Sequence, residues 1–507
     1  MALNDFNAAL KFENSFAEQL DGLYAFATGD SAIQPELVKI NHSLAQTLGL
    51  DSQRLSAEPE TAQLLAAMLS GGTSPKGAKP LSQAYAGHQF GHLNHQLGDG
   101  RALLLGEVID TEGCRKDIHL KGSGPTIFSR NGDGKATLGP VLREYLIAEA
   151  MHSLQVPTTR ALAVVISGEK VMRSQLLTGA VLTRVASSHI RVGTFQYAAS
   201  RNQTETTQRL ADYCIARHYP KVKPKVKPEI KQADNCYLDF FRAVADKQAL
   251  LIAKWMNIGF VHGVMNTDNT LICGETIDYG PCAFIDQYDP QAVFSSIDTQ
   301  RRYAYQNQAS IALWNLARLA ETLLPLIAAD EEQAITLINP ILQDFTETYQ
   351  QYWLAGMRLK LGIDNAEEDD LALANDLLQM MAKQQVDFTQ LFRALAFAIQ
   401  GETSLVRALF KDPQPFYIWQ VSWSQRLARN TAPAFDAIAK MNAINPLYIP
   451  RNHKVEEALI AAEAGDLSLF EKLLSVVTDP YQPRDGFEEY EGPAPAKATR
   501  YVTYCGT

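Results

Sequence analysis

Six cysteines among 507 residues, none in a C-x-x-C pair and none grouped with histidine at zinc spacing, argue against both a disulfide scaffold and a structural zinc site. Free cysteines in a reducing compartment pack as small apolar side chains. That reading suits Cys114, Cys214, Cys236, Cys273 and Cys282; it suits Cys505 poorly, since "YVTYCGT" is a terminal tail expected to be mobile. No apolar run approaches the roughly 20 residues that span a bilayer, and "ALLIAKWMNIGFV" from Ala249 is interrupted by Lys254. The N-terminus has neither a basic start nor a small-residue cleavage site. A cytoplasmic location and no membrane partner are the resulting expectations. A basic excess is missing too. With 46 Lys and Arg against 56 Asp and Glu, the net charge of -10 disfavours a general binder of phosphate backbones, so no nucleic-acid partner is expected. No internal repeat is evident.

The rest is ordinary globular composition, 46% apolar and 20% charged, in a chain long enough for more than one domain. The first 75 or so residues carry helical periodicity, as in "PELVKINHSLAQTLGL", and end in the breaker-rich "SGGTSPKGAKP". From Ala102 short alternating segments follow one another ("ALLLGEVID", "DIHLKG", "RALAVVIS", "EKVMRSQLL", "AVLTRVA"), the signature of an antiparallel sheet. One helix interrupts them, "GPVLREYLIAEAMHSL", with Pro140 suited to its first helical position. The Pro-punctuated charged run "KVKPKVKPEIK" from Lys221 reads as a solvated loop. "QASIALWNLARLAETLLPLI" from Gln308 is a strong amphipathic helix, residues 340–480 continue as helices, and the tail from Asp479 reads as loosely ordered. The fold class expected is α+β: an N-terminal helical extension (1–75), a small antiparallel sheet with one helix (76–190), a helical part (191–340), and a further C-terminal helical region with a tail (341–507).

The chemistry centres on "HGVMNTDN", His262 to Asn269. A protein-kinase catalytic loop reads H-R-D-x-x-x-x-N, with Asp as proton acceptor and Asn on magnesium. Here His and Asn keep their seven-residue separation, but Val264 stands where the Asp belongs. Asp268 is the nearest carboxylate that could replace it; shaping the loop as a turn residue is its alternative reading. His262 reads as a packed loop histidine. A short strand "TLIC" is expected next, and then Asp278-Tyr-Gly280, where a kinase has its magnesium-binding D-F-G. Upstream, Lys121 ends a strand and Glu144 lies on the helix after it, beside the apolar Val141 and Ala148. A partly buried carboxylate needs a cation. Lys121 fits, with pairing through Glu149 or exposure of Glu144 as the alternatives. The G-x-G-x-x-G of a kinase is absent. "GDGR" (Gly98, Gly100, Arg101) is either a loop approaching phosphate or a plain turn, and "NGDGK" with Asp133 and Gly134 reads as a tight turn. Arg184 and Arg191 are surface cations or a phosphate-binding pair.

The blocks "YAGHQFGH", "QLGDGRALLLGEV", "LKGSGPTIFSRNGDGK", "GPVLREYLIAEAMHSL", "LTRVASSHIRVGTF" and "HGVMNTDNTLI…TIDYGPCAFIDQYDP" together resemble the selenoprotein O family of pseudokinases, with Cys505 at the place of its C-terminal Cys or selenocysteine. The resemblance implies a kinase-like two-lobe fold that binds ATP in a flipped orientation. It also implies transfer of AMP to Ser, Thr or Tyr hydroxyls of protein substrates, with pyrophosphate released. It places Gly98, Gly100, Arg101, Lys121, Asp133, Gly134, Glu144, Arg184 and Arg191 at the nucleotide, Asn269 and Asp278 on Mg²⁺ (or Mn²⁺), and Asp268 as base. A Cys282–Cys505 disulfide controlling activity is a further expectation, with two unrelated thiols as its alternative. A phosphotransferase using Asp268 and an inactive nucleotide-binding scaffold are the competing functional readings.

Overall fold

The computed structural model describes residues 10–222, 235–495 and 501–503. Cys505 and most of the charged run from Lys221 lie outside them. The strands are β1 (Tyr24–Phe26), β2 (Glu36–Ile40), β3 (Leu81–Gln83), β4 (Gly87–Gln89), β5 (His92–Asn94), β6 (Ala102–Ile109), β7 (Arg115–Lys121), β8 (Ala136–Thr137), β9 (Arg160–Met172), β10 (Leu176–Ala186), β11 (Phe260–Val261) and β12 (Ala283–Phe284). The main sheet runs β1-β3-β6-β7-β10-β9-β2, with β8 on β10, and all its pairings are antiparallel.

Successive side chains on a strand point to opposite faces, and both faces of this sheet are covered. Leu104, Val164 and Leu182 join a core with Leu142, Leu146 and Ala150 of the Leu138–Ser153 helix. Their neighbours Leu105, Val165 and Val181 face a second core, built with Leu44, Leu55, Leu65 and Leu69 of the N-terminal helices. Lys121 ends β7 and Glu144 lies nearly two turns into the Leu138–Ser153 helix, so the packing of that helix on the sheet brings them together.

The Cys236–Asn257 helix starts at Asn235, whose Oδ1 accepts the Tyr237 N–H, and it feeds β11. Strands β11 and β12 pair antiparallel and close the ends of the 262–282 loop, which carries the kinase-like motifs. The helical stretch Tyr305–Ile327 is long and apolar enough to span a membrane, but its Gln308–Ile327 helix buries Leu316, Leu319 and Leu323 within the protein. Beyond it the Glu331–Lys360 helix packs along Cys236–Asn257, and further helices run to Val477.

Five expectations need correction. The N-terminal 75 residues are not a helical extension alone, because β1 and β2 join the sheet at its two ends. Within "PELVKINHSLAQTLGL", Glu36–Ile40 is a strand paired with β9, and only His42–Thr47 is helical. "TLIC" forms no strand; Leu271 makes a single bridge with Arg191. The tail is pinned where it is described. Arg451 donates to Glu491 O at 2.7 Å, Tyr490 is buried, and Thr503 bridges to Ser295. Pro140 is the third helical residue, after Leu138 and Gly139.

Candidate active site

A cavity of about 1520 Å³ lies between the sheet and the 262–282 loop. Every candidate nucleotide or metal residue, together with Asp268, lines it: Gly98, Gly100, Arg101, Lys121, Asp133, Gly134, Glu144, Arg184, Arg191, Asn269 and Asp278.

Its centre is a charge cluster. Lys121 Nζ donates to Glu144 Oε2 at 2.6 Å and to Asp278 Oδ1 at 3.2 Å. Arg184 bonds Glu144 through Nε and Asp278 Oδ1 through Nη2, the latter at 2.5 Å. Glu149 is engaged elsewhere, by Arg160 and the Ala161 N–H, which settles the pairing in favour of Lys121 with Glu144. Burial alone would raise both carboxyls; Arg184 and Lys121 outweigh it, and Glu144 lies below its ordinary value and Asp278 well below. Burial also lowers Lys121, with Arg184 adding to it. Asp278 sits at φ +63°, a conformation that costs a non-glycine residue energy and persists where its surroundings enforce it.

Arg191 is buried. Its Nη1 donates to Asp268 O at 2.8 Å and lies 3.6 Å from Asp278 Oδ2, and its guanidinium covers the Tyr85 ring at 4.3 Å. Asp99, between the two glycines of "GDGR", accepts from Gln83 N–H at 3.1 Å and contacts His119 Nε2 at 3.3 Å. It stands 3.7 Å from Arg191, so the glycine turn and the arginine are held by one carboxylate. In "NGDGK", Asp133 shapes its turn by accepting the Lys135 N–H at 3.0 Å, and Arg173 grips its carboxylate with contacts of 2.7 and 3.0 Å. A Cβ at Gly134 would lie 2.1 Å from Gly124 C, so the loop closes only with glycine there.

In the "HGVMNTDN" loop, His262 Nε2–H donates to Ile277 O at 2.9 Å and the ring stacks on Trp255, the packed role expected of it. Asn269 Nδ2 donates to Val264 O at 3.0 Å. Asp268 is buried, and desolvation, opposed by Arg191, pushes its carboxyl up to about 6. Arg143 ties the segment after Asp278 to the helix below, donating to Gly280 O at 3.1 Å and Cys282 O at 2.6 Å. Cys282 is itself fully buried, and the Cys282–Cys505 pairing falls outside the described residues.

Gln89, Asp99, Arg143 and Arg173 were not singled out from sequence. The quoted stretches contain all four, yet a neutral amide, a turn aspartate and two arginines have no spacing that marks them.

Clustered cations and carboxylates on a deep cavity suit a polyphosphate ester and the transfer of one of its groups. Comparison with known proteins agrees with that class. The profile of the family "Protein adenylyltransferase SelO" matches residues 7–478. "Protein nucleotidyltransferase YdiU" of Cereibacter sphaeroides (strain ATCC 17025 / ATH 2.4.3) is 53% identical over 499 residues, covering 98% of this chain and 99% of that protein. Proteins of the same name from Rhizobium johnstonii (strain DSM 114642 / LMG 32736 / 3841) and Rhizobium meliloti (strain 1021) are each 50% identical, over 504 and 502 residues, covering 99% and 98% of this chain and 98% and 100% of theirs. The chain belongs to the protein adenylyltransferase SelO family.

Proposed function

We propose that this protein adenylyltransferase binds ATP in the cavity with the β- and γ-phosphates toward Lys121, Arg184 and Arg191, and transfers AMP to a Ser, Thr or Tyr hydroxyl of a protein substrate. The observation that carries the reading is the site's charge distribution. Cations gather around Glu144 and Asp278 at one side, while the buried Asp268 carboxylate makes no ion pair among the described residues; Arg191 bonds its main-chain oxygen and Gln89 its Oδ2. The acceptor oxygen attacks the α-phosphorus, its proton passes to Asp268, and the bond from α-phosphorus to the bridging oxygen breaks. Pyrophosphate then leaves with the electron pair. Donors preorganised on the departing charge lower the barrier most where water is excluded, and a carboxylate held near the acceptor serves as base.

The same arrangement supports a kinase-like two-lobe reading, the sheet of 76–190 over the helices of 191–340. Asn269 and Asp278 fit Mg²⁺ or Mn²⁺: the Asn269 amide spends its N–H on Val264, leaving its oxygen as acceptor, and Asp278 offers a second hard oxygen. Few protein ligands suit such an ion, which takes the rest from phosphates and water. When bound it neutralises phosphate charge. A cytoplasmic location remains the reading consistent with the cysteine pattern.

The test is a pair of reactions with α-³²P- and γ-³²P-ATP, cell-extract protein as acceptor, and Asp278→Ala as control. Label entering protein from the α position alone, falling about 100-fold or more in the variant, is expected. Label from γ alone would make the enzyme a phosphotransferase; label from neither, with ATP still bound, would make it a scaffold.

A further inference from the structure

The β4–β5 hairpin has no part in the chemistry above, yet three consecutive residues of it hold three consecutive residues of the Asp268 loop. His88 N–H donates to Thr267 Oγ1 at 2.7 Å, Gln89 Nε2 to Asp268 Oδ2 at 3.2 Å, and Phe90 N–H to Asn266 Oδ1 at 3.1 Å. A second layer backs these contacts. Gln196 Nε2 meets His88 Nδ1 at 2.7 Å, and the Tyr303 hydroxyl donates to Asn266 Oδ1 at 2.6 Å.

The hairpin lies directly on the carboxylate. A Cβ at Gly87 would stand 2.4 Å from Asp268 Oδ1, so only glycine permits the approach. Its turn places Phe90 at φ +52° and Gly91 at φ +88°. Such two-residue turns favour Asn before Gly, and a bulky residue is strained there. Phe90 is kept at that position with its ring 5.1 Å from Tyr303, and it lines the cavity beside Gln89.

Among the described residues, Gln89 supplies the one hydrogen bond from a side chain to the Asp268 carboxylate, and Asp268 Oδ1 is buried without a partner. Arg191, the nearby cation, is committed to the main-chain oxygen instead. A carboxylate rotates about its last torsion unless something holds it. A neutral amide can hold it without forming the ion pair that would withhold it from the acceptor.

We propose that Gln89 is a positioning residue for AMP transfer, its amide fixing the plane of the Asp268 carboxylate against the incoming hydroxyl. The proposal rests on Asp268 being the base. A double-mutant cycle separates the two claims. Gln89→Met keeps the side chain's length and removes the donor; Gln89→Glu keeps its shape and is the second variant should the first not fold. Each is combined with Asp268→Ala and assayed for α-³²P transfer to cell-extract protein and for equilibrium ATP binding.

The expected result is a fall in kcat of about 10-fold or more in Gln89→Met, because small misplacements of a reacting group are costly, with KM and Kd for ATP within about twofold of wild type. In the Asp268→Ala background the same substitution should change the residual rate by less than about twofold, since no carboxylate is left to orient. An equal loss in both backgrounds, a loss of ATP affinity matching the loss of rate, or a wild-type kcat in Gln89→Met would each overturn the proposal. If Asp268→Ala itself keeps the wild-type rate, the base assignment falls and this proposal with it. If Asp268→Ala is slow and both Gln89 variants are not, the base stands and only the positioning role fails.

Discussion

Lys360 ends a helix with its ammonium group inside the protein. It is 3% exposed, lies 4.1 Å from the Phe392 ring centroid and 5.2 Å from that of Phe388, and makes no ion pair among the described residues. Burial pushes it down to about 7 from an ordinary value near 10.5. Above about pH 10.5 both folded and unfolded chains carry the neutral amine, and the group has no effect. As pH falls from there toward 7 the unfolded chain takes up a proton that the native state refuses, so stability is lost across that window, and below 7 the whole penalty is present. The shift corresponds to about 5 kcal/mol, and the two aromatic faces return about 2 of it. Lys360→Met should therefore stabilise the protein by about 2–3 kcal/mol at pH 6.5 and by much less at pH 9.5, read from urea midpoints at the two pH values. A difference between variant and wild type that stays constant with pH would show that no buried amine is titrating. Sequence could not have found Lys360, because nothing in the chain says which lysine on a helix faces inward. Lys121, Glu144 and Asp278 were legible for the opposite reason: each stands at a fixed place in an ordered set of elements, and opposite charges in a packed interior have few other ways to be satisfied.

The C-terminal helices, on which the sequence was nearly silent, are fastened to the site by a buried arginine. Arg451, fully buried just before the Asn452–Glu463 helix, donates to Asp387 at 2.8 and 3.1 Å and to Asp286 at 2.7 Å. That helix in turn lines the cavity, and its Glu463 accepts the Gly139 N–H at 2.7 Å, at the start of the helix that carries Glu144. Arg451→Ala strands two carboxylates and should cost about 3–5 kcal/mol, the range for breaking a buried pair from one side. Arg451→Met with Asp387→Leu should recover most of that in a denaturant titration; no recovery would mean that the arginine acts through its bond to Glu491 O. Long periodic helices such as Gln308–Ile327 were legible to the residue because a 20-residue pattern has one interpretation. Glu36–Ile40 was misread because five residues satisfy either period, and the edge of β9 decided the outcome.

Residues 501–503 lie against the site where the chemistry occurs. Tyr501 hydroxyl donates to Glu456 at 2.6 Å and accepts from Arg143 at 3.1 Å. Thr503 N–H donates to Phe294 O at 2.8 Å, and its Oγ1 donates to Pro281 O at 2.9 Å, one residue before Cys282. Cys505 lies two residues beyond Thr503, outside the described residues, and its link to Cys282 stays a proposal for chemistry to test. The chemistry opposes a fast reaction: burial pushes the Cys282 thiol up to about 11, against a smaller lowering by Arg143, and the thiolate is the attacking species. Exposed Cys114 should thus be alkylated well before Cys282 in the reduced protein. Mild oxidant should then slowly yield a peptide linking Cys282 to Cys505 and lower AMP transfer in step, with neither change in Cys505→Ser. Tyr501→Phe, which loses the bond to Glu456, should loosen the strap and speed both alkylation of Cys282 and formation of the link. Oxidised protein whose mass spectrum holds both cysteines in unlinked peptides, with activity lost all the same, would assign the redox response to another thiol and leave the tail a purely structural strap.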